Sequence, residues 1–137
     1  MKKYTLAFIF DEHLKKVLLI RKTKPEEQAG KLNGIGGKLE DSDIDLVDCI
    51  KREVYEETKL SFPREVFSRV GELTDNENYY VAIFTVKTTG ALLNMAATTT
   101  DEEVVLFQLE DLYKENFTNQ TPEIIDTCLK LWKSHIH

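Results

Sequence analysis

The sequence predicts an α+β fold. Short segments rich in β-branched and aromatic residues are separated by turns over most of the chain. Two other segments, near residues 44 to 58 and 121 to 132, carry apolar side chains at helical spacing. With 137 residues, 42% hydrophobic and 31% charged, the chain has the length and composition of about one globular domain. No repeat, low-complexity tract or linker interrupts it, so we expect a single domain over residues 1 to 137.

The first predicted elements are a hairpin and a glycine-rich loop. Strand-like segments at residues 4 to 10 and 17 to 22 are joined by the polar turn DEHLKK. The loop that follows, residues 23 to 38, holds four of the six glycines of the chain. The last three of these, in NGIGG, predict a backbone that takes positive φ or approaches a ligand closely.

A helix is predicted next, from about Ile44 to Thr58, with Ser42 or Asp43 as its N-cap. A last helix is predicted to begin with Thr121 as N-cap and Pro122 at the first helical position. Between the two helices lie three further strand-like segments, at about residues 66 to 74, 78 to 89 and 103 to 109.

Composition excludes several classes of protein. No apolar run could span a bilayer, and the apolar N-terminal stretch meets Asp11 rather than a cleavage site, so it predicts a strand and not a signal peptide. Cys49 and Cys128 lack metal-ligand spacing, which favours a reduced, cytoplasmic compartment. A net charge of -6 argues against stable nucleic-acid binding, although a small anionic ligand is compatible with a local basic patch.

Charge is distributed unevenly around the glycines. Residues 15 to 38 carry seven basic side chains and two acidic ones, whereas residues 39 to 57 carry eight acidic side chains and two basic ones. The segment 41 to 45, DSDID, is similar to the start of an EF-hand calcium loop. It has Leu46 where that loop needs glycine and Arg52 where it needs glutamate, which excludes an EF-hand.

The stretch KREVYEETKL places three carboxylates, Glu53, Glu56 and Glu57, within about one helical turn. Like charges at this spacing repel by roughly 0.2 to 0.5 kcal/mol per pair. On a helical wheel, Glu53 and Glu57 flank the apolar stripe that contains Ile50 and Val54, so a solvated acidic face explains the cluster poorly. Partly buried carboxylates need a neutralising partner, and oxygen ligands suit Mg²⁺.

These residues carry a family resemblance. The segment GGKLEDSDIDLVDCIKREVYEETKL resembles the Nudix box, the loop-helix-loop signature of hydrolases that act on nucleoside diphosphates linked to another group. The resemblance implies an α/β/α sandwich with a mixed β-sheet, a box helix and a C-terminal helix. The segments GKLNGIGGKLE and FQLEDL are similar to the MutT-like subgroup that hydrolyses oxidised purine nucleoside triphosphates. The positions matching the box are Gly37, Arg52, Glu53, Val54, Glu56, Glu57 and Leu60.

Three positions depart from the usual box. The first acid is Asp43, a shorter carboxylate, and one extra residue separates it from Arg52. The sequence therefore leaves open whether Asp43 or Asp45 takes the first acidic role. The usual glycine near the end of the box is Lys59, which would cost about 1 kcal/mol if that position needs left-handed backbone.

The resemblance also implies roles for individual residues. Arg52 would orient a catalytic glutamate, Glu53 or a later acid would act as general base, and the later acid would be Glu103 or Glu102. The implied catalytic residues are Glu53, Arg52, Glu57 and Glu103. The implied metal ligands for Mg²⁺ or Mn²⁺ are Gly37, Glu53, Glu56, Glu57 and Glu103. The candidates for substrate contacts are Arg21, Asn33, Lys38 and Gly36.

The function expected from the resemblance is metal-dependent hydrolysis of a nucleotide. The leading substrate is a purine nucleoside triphosphate, including an oxidised one, cleaved to the monophosphate and pyrophosphate. ADP-ribose or a dinucleoside polyphosphate is the alternative substrate, and a non-catalytic nucleotide-sensing module is the alternative class. The sequence has no suitable catalytic Cys-Glu arrangement for a role like that of isopentenyl-diphosphate isomerase. The expected partner is a small-molecule nucleotide, without membrane binding, and the expected assembly is a monomer or homodimer.

Overall fold

The structure, a computed structural model, describes residues 1 to 75, 77 to 118 and 120 to 134. Its seven described strands are β1 (Lys2–Asp11), β2 (Lys16–Arg21), β3 (Leu32–Asn33), β4 (Ile35–Lys38), β5 (Ser68–Asp75), β6 (Tyr79–Thr88) and β7 (Glu103–Gln108). Its α-helices are α1 (Leu46–Thr58), α2 (Gly90–Leu93) and α3 (Thr121–Ser134). No helix in these described ranges is both long and apolar enough to cross a membrane.

All seven strands form one mixed sheet. Its main order is β3-β2-β1-β6-β5, and β1 runs parallel to β6 over its whole length. The other pairings are antiparallel, including β4 with the first half of β1 and β7 with β2. The glycine-rich β4 and the hairpin strand β2 therefore share one edge of β1, which brings the loop that precedes α1 to the centre of the sheet.

The core has two layers, one on each face of the sheet. On one face, alternate residues of β1 such as Ala7 and Ile9 pack with Ile50 and Val54 of α1. On the other face, Phe8 and Phe10 pack with apolar residues of α3. This alternation follows from the two-residue period of a strand. The predicted α+β class, with helices on both faces of a mixed sheet, is confirmed.

Helix α1 starts two residues later than predicted. Its N-cap is Asp45, whose carboxylate accepts a hydrogen bond from the Asp48 amide at 2.9 Å, so the expected cap at Ser42 or Asp43 is wrong. Asp43 does not cap the helix because its carboxylate binds a side chain of α1 instead. Helix α3 also differs by one residue, since Thr121 is already its first helical residue rather than its N-cap.

The glycine-rich loop contains two short strands, β3 and β4, that were not predicted from the sequence. The glycines of this segment other than Gly30 have no positive φ. Gly36 instead allows close backbone approach to β1, because a Cβ there would lie 1.9 Å from the carbonyl oxygen of Thr5. Gly36 is therefore needed because its backbone packs closely against β1 of the protein's own sheet, and not because a ligand approaches it.

The C-cap of α1 is Lys59, with φ 65° and ψ 8°, at the position where the box usually has glycine. A left-handed conformation costs a non-glycine residue roughly 1 kcal/mol. We therefore expect Lys59→Gly to raise the free energy of unfolding by about 1 kcal/mol and the Tm by about 3 °C.

Thermal unfolding with Lys59→Ala as the matched control would test this. Alanine also removes the Lys59 ammonium from above the Tyr55 ring, which lies 5.0 Å away, but keeps the Cβ. An equal gain in both variants would contradict the backbone explanation.

Candidate active site

Arg52 is the centre of a hydrogen-bonded network on α1. Its Nε and Nη2 donate to the two carboxylate oxygens of Asp43 at 2.9 and 2.8 Å, a bidentate pair. Its Nη1 donates to Glu53 at 2.8 Å and to Glu56 at 3.2 Å, and its Nη2 donates to the Lys38 carbonyl at 3.2 Å. One guanidinium thus connects the end of β4, the loop before α1 and two of the three clustered carboxylates.

The network decides between the two candidates for the first acidic position. Asp43 faces Arg52, and its hydrogen bonds with that guanidinium hold the pKa of the Asp43 carboxyl below its usual range. Asp45 lies on the other side of the helix start, where it caps α1 and pairs with Arg64 at 2.7 Å. Of the two candidates, Asp43 is therefore the one that contacts Arg52, as Glu40 also does at 3.1 Å, whereas Asp45 belongs to the cap of the helix.

Glu53 is held between Arg52 and the backbone of β4. A Cβ at Gly37 would lie 2.5 Å from the Glu53 carboxyl carbon, so a larger residue there would displace the end of this side chain from its present position. Burial raises the pKa of Glu53, against the opposing effect of Arg52. The Gly37 carbonyl, an expected metal ligand, faces the Thr5 hydroxyl at 3.5 Å and the Cys49 thiol at 3.9 Å.

Glu57 is the least satisfied carboxylate of the described chain. Its Oε2 is buried and has no hydrogen-bond partner among the described residues, and it is the one such buried side-chain atom there. Burial is the main cause that raises the pKa of Glu57 to about 8, the negative charges of Glu53 and Glu102 raise it further, and the Lys22 ammonium opposes them in part. An additional cation at this carboxylate would therefore favour its ionised form.

A fourth carboxylate near Glu57 belongs to Glu102. Its side chain is 12% exposed, pairs with the Lys22 ammonium at 3.2 Å and accepts the Thr23 amide at 3.1 Å. The neighbouring Glu103 is 66% exposed and pairs with Arg21 at 3.6 Å. Of the two acids that the sequence left open, the structure places Glu102, and not Glu103, beside the box helix.

Strand parity explains this choice and could have been read from the sequence. Leu18 and Ile20 of β2, like Val104 and Leu106 of β7, pack on the α1 face of the sheet. Continuing the two-residue period leads to Lys22 and to Glu102 on that face. The same period puts Arg21 and Glu103, which pair across β2 and β7, on the α3 face.

Arg21 and Lys38 are the two candidates for phosphate contacts, and the structure places only one of them at the site. The Arg21 side chain binds Glu103, Glu115 and the Gly30 carbonyl, so its charge is already paired. Lys38 contributes its carbonyl to Arg52, as described above, and its side chain is exposed at the end of β4. The structure brings Lys38 to the site and leaves Arg21 on the opposite face of the sheet.

Asn33 lies where β3 ends. Its Oδ1 accepts hydrogen bonds from the Gly34 amide at 2.8 Å and from the Thr121 hydroxyl at 3.3 Å. The acceptor end of this amide is therefore used by the protein, and the NH₂ group is the end available for a ligand. Gly36 is packed against β1, so its expected substrate contact would come from its backbone alone.

The donor set suits a hard divalent cation, although the carboxylates are not already gathered around one point. No three His, Cys, Asp or Glu side chains among the described residues converge closely enough to hold an ion. Mg²⁺ nevertheless requires oxygen ligands, and the carboxylates here supply only oxygen. They include the Glu57 Oε2, which has no partner among the described residues, and the carboxylates of Glu53 and Glu102, whose charges act on it. Arg52 now holds Glu53 and Glu56, so binding of an ion would require these side chains to turn from the guanidinium.

The mixed sheet with helices on both faces is the α/β/α sandwich that the resemblance to the Nudix box predicted, and the carboxylate-rich helix α1 is its box helix. The NUDIX domain family matches residues 2–128, and the chain belongs to that family. Members of this family generally use divalent metal ions, and membership supports a Nudix pyrophosphohydrolase, the predicted enzyme class.

Solved structures confirm the fold. The NUDIX domain of Shewanella oneidensis NrtR, complexed with ADP ribose, superposes with a TM-score of 0.81 at 16% identity, covering 94% of this chain and 86% of that one. A MutT Nudix hydrolase from Burkholderia pseudomallei gives a TM-score of 0.69 at 20% identity, covering 92% and 96%. NrtR complexed with a 27mer DNA gives 0.80 at 17% identity, and the chain spans 62% of that longer protein. No curated protein matches the sequence.

Proposed function

We propose that the chain hydrolyses a phosphoanhydride bond in a nucleoside diphosphate-linked substrate and needs Mg²⁺ or Mn²⁺ to do so. The observation that carries this proposal is the buried Oε2 of Glu57, which has no hydrogen-bond partner among the described residues. Burial and the charges of Glu53, Glu102 and Glu56 disfavour its ionised form, and the Lys22 ammonium, which is already paired with Glu102, offsets this only in part. Such a cluster is unfavourable by itself and becomes favourable when a cation and its phosphate ligand enter.

Each residue of the network has a definite part in this reaction. Glu53, Glu56, Glu57 and Glu102 would hold the cation, which when bound neutralises the diphosphate and lowers the pKa of a water molecule. Arg52 positions Glu53 and Glu56 through the hydrogen bonds described above. Glu53 or Glu102 accepts the proton of the attacking water, the water oxygen bonds to phosphorus and the anhydride P–O bond breaks.

The substrate we propose is a purine nucleoside triphosphate, including an oxidised one, cleaved to the monophosphate and pyrophosphate. The Asn33 amide supports a contact in which its NH₂ donates to an acceptor on the base, because its oxygen is bound by Gly34 and Thr121. ADP-ribose or a dinucleoside polyphosphate is the alternative substrate.

A substrate panel tests the proposed function. Purine triphosphates, oxidised purine triphosphates, ADP-ribose and dinucleoside polyphosphates would be incubated with the chain, with and without Mg²⁺, and the products separated. We expect metal-dependent turnover, and we expect Glu53→Gln and Glu56→Gln each to lower it at least about tenfold. Full activity in both variants would refute the assignment of these carboxylates. Stabilisation by nucleotides in a thermal-shift assay without turnover would favour a sensing module.

A matched pair of variants tests which later acid acts. We expect Glu102→Gln to lower kcat about tenfold or more, because this side chain is only 12% exposed and its charge acts on Glu57, and Glu103→Gln to change it little. Steady-state kinetics at saturating Mg²⁺ would decide. A larger loss in Glu103→Gln than in Glu102→Gln would restore Glu103 as the later acid.

The proposed setting is a cytoplasmic enzyme that acts alone or as a homodimer on small molecules. The described cysteines, Cys49 and Cys128, are free and buried, which supports a reducing compartment. The net charge of -6 supports the absence of stable nucleic-acid binding. A mobility-shift assay with duplex DNA at physiological salt would check this, and a retained complex would contradict it.

A further inference from the structure

A segment of nine residues, 94 to 102, connects α2 to β7 and covers the C-terminal end of the box helix; we call it the strap. The Ala97 amide donates to the Thr58 carbonyl at 3.0 Å, and the Thr99 hydroxyl donates to the Glu56 carbonyl. The last carbonyls of a helix have no partner within the helix. The strap supplies two of these partners, so it is fixed to the end of α1.

The other contacts of the strap fix the residue at its far end. The Thr98 hydroxyl accepts the Val104 amide at 3.0 Å, which ties the strap to the start of β7. The Thr100 hydroxyl accepts the Glu102 amide at 3.1 Å. Three consecutive threonines therefore bind three different places, namely β7, the box helix and the backbone of Glu102 itself.

We propose that Thr99 is a positioning residue that sets the distance between Glu102 and the box carboxylates. This inference rests on the proposed function. Thr99 is three residues from Glu102, and the carbonyl that it binds belongs to Glu56, one residue before Glu57. The hydrogen bond thus joins the two chain segments that carry the acids of the site. Displacing a reacting group by about 1 Å can cost about a hundredfold in rate, so this bond matters beyond its own strength.

The test compares Thr99→Val with Thr99→Ser and with a matched control, Thr127→Val. Thr127 is an exposed residue of α3 whose hydroxyl donates to the Glu123 carbonyl of the same helix at 3.0 Å, so its replacement also removes a hydroxyl-to-carbonyl bond, but one that joins no separate segments and lies away from the site. We expect kcat to fall about tenfold in Thr99→Val with KM nearly unchanged, to recover in Thr99→Ser and to stay at the wild-type value in Thr127→Val.

A double variant shows whether Thr99 acts through Glu102. If it does, Thr99→Val combined with Glu102→Gln has the kcat of Glu102→Gln alone, because the positioned group is already absent. Effects that multiply in the double variant, or equal kcat values in Thr99→Val and Thr127→Val, would overturn the inference.

Hydrogen exchange gives a readout that does not need turnover. We expect the amides of Ala97 and Glu102 to exchange faster in Thr99→Val than in the wild type and in Thr127→Val. Unchanged exchange would overturn the inference even in an active enzyme. A wild type that turns over no substrate would instead overturn the proposed function, with the exchange data still deciding whether Thr99 fixes the strap.

Discussion

Glu57→Gln is expected to lower kcat about a hundredfold or more and, at the same time, to stabilise the metal-free protein above neutral pH. Both effects have one cause, the buried Glu57 oxygen without a partner. Glutamine keeps the size of the side chain and removes the charge. The substitution removes a negative charge that would bind the cation. The same charge destabilises the metal-free fold, so its removal stabilises that fold.

The sign of the pH dependence follows from the pKa values. The pKa of Glu57 rises from 4.5 to about 8 on folding, so between these pH values the folded protein binds more protons than the unfolded chain. The free energy of unfolding therefore falls as pH rises through this window, by an amount of the order of a few kcal/mol. We expect Glu57→Gln to match the wild type below pH 4.5 and to exceed it near pH 8.

Denaturant unfolding of metal-free wild type, Glu57→Gln and Glu65→Gln at pH 5 and pH 8 measures this. Glu65 is an exposed glutamate outside the site, so its replacement controls for the loss of one negative charge. Added Mg²⁺ should restore the wild type at pH 8 and should affect Glu57→Gln much less. An equal pH dependence in wild type and Glu57→Gln would show that Glu57 is not held in the metal-free fold as described.

Gly37→Ala is the second change with a large expected effect. The added methyl carbon would lie 2.5 Å from the Glu53 carboxyl carbon, and contact at this distance forces the side chain or the strand to move. Because Arg52 binds the same carboxylate at 2.8 Å, a displaced Glu53 would also break the network around the guanidinium. We expect kcat to fall about a hundredfold, with little stability lost, because the end of the Glu53 side chain can move aside without a change in the strand.

Gly71→Ala is the matched control, because a Cβ at Gly71 has open space around it. Kinetics and unfolding of both variants, with circular dichroism to confirm the fold, complete the test. If Gly37→Ala were as active as Gly71→Ala, the close contact between Gly37 and Glu53 would not be needed for catalysis.

The sequence predicted the fold class and the identity of the box because these depend on local patterns. The helical wheel placed Glu53 and Glu57 beside the buried stripe of α1, and both are partly buried, whereas Glu56 is exposed. The strand segments followed from alternation and β-branched residues. The family assignment followed from glycine, arginine and glutamates at fixed spacing, and the family match confirmed it.

The parts that were missed depend on long-range contacts. The short strands β3 and β4 form because β2 and β1 lie beside them. β3 has only two residues, and two of the four residues of β4 are glycines, which are rare in strands. The predicted N-cap of α1 was wrong because Asp43 binds Arg52, nine residues later in the sequence. Capping preferences consider only neighbouring residues and do not include this ion pair. The position of Glu102 beside α1 could have been found from the parity of β7.

The proposed metal-dependent hydrolysis is tested by the release of pyrophosphate from purine nucleoside triphosphates by wild type, Glu53→Gln and Glu57→Gln, with Mg²⁺ titrated from zero. We predict that the wild type releases pyrophosphate and the nucleoside monophosphate in equal amounts only when Mg²⁺ is present. Both variants should be folded, with Glu53→Gln at least about tenfold slower and Glu57→Gln about a hundredfold slower or more at every Mg²⁺ concentration. Release that is independent of Mg²⁺, or variants as fast as the wild type, would contradict the proposal.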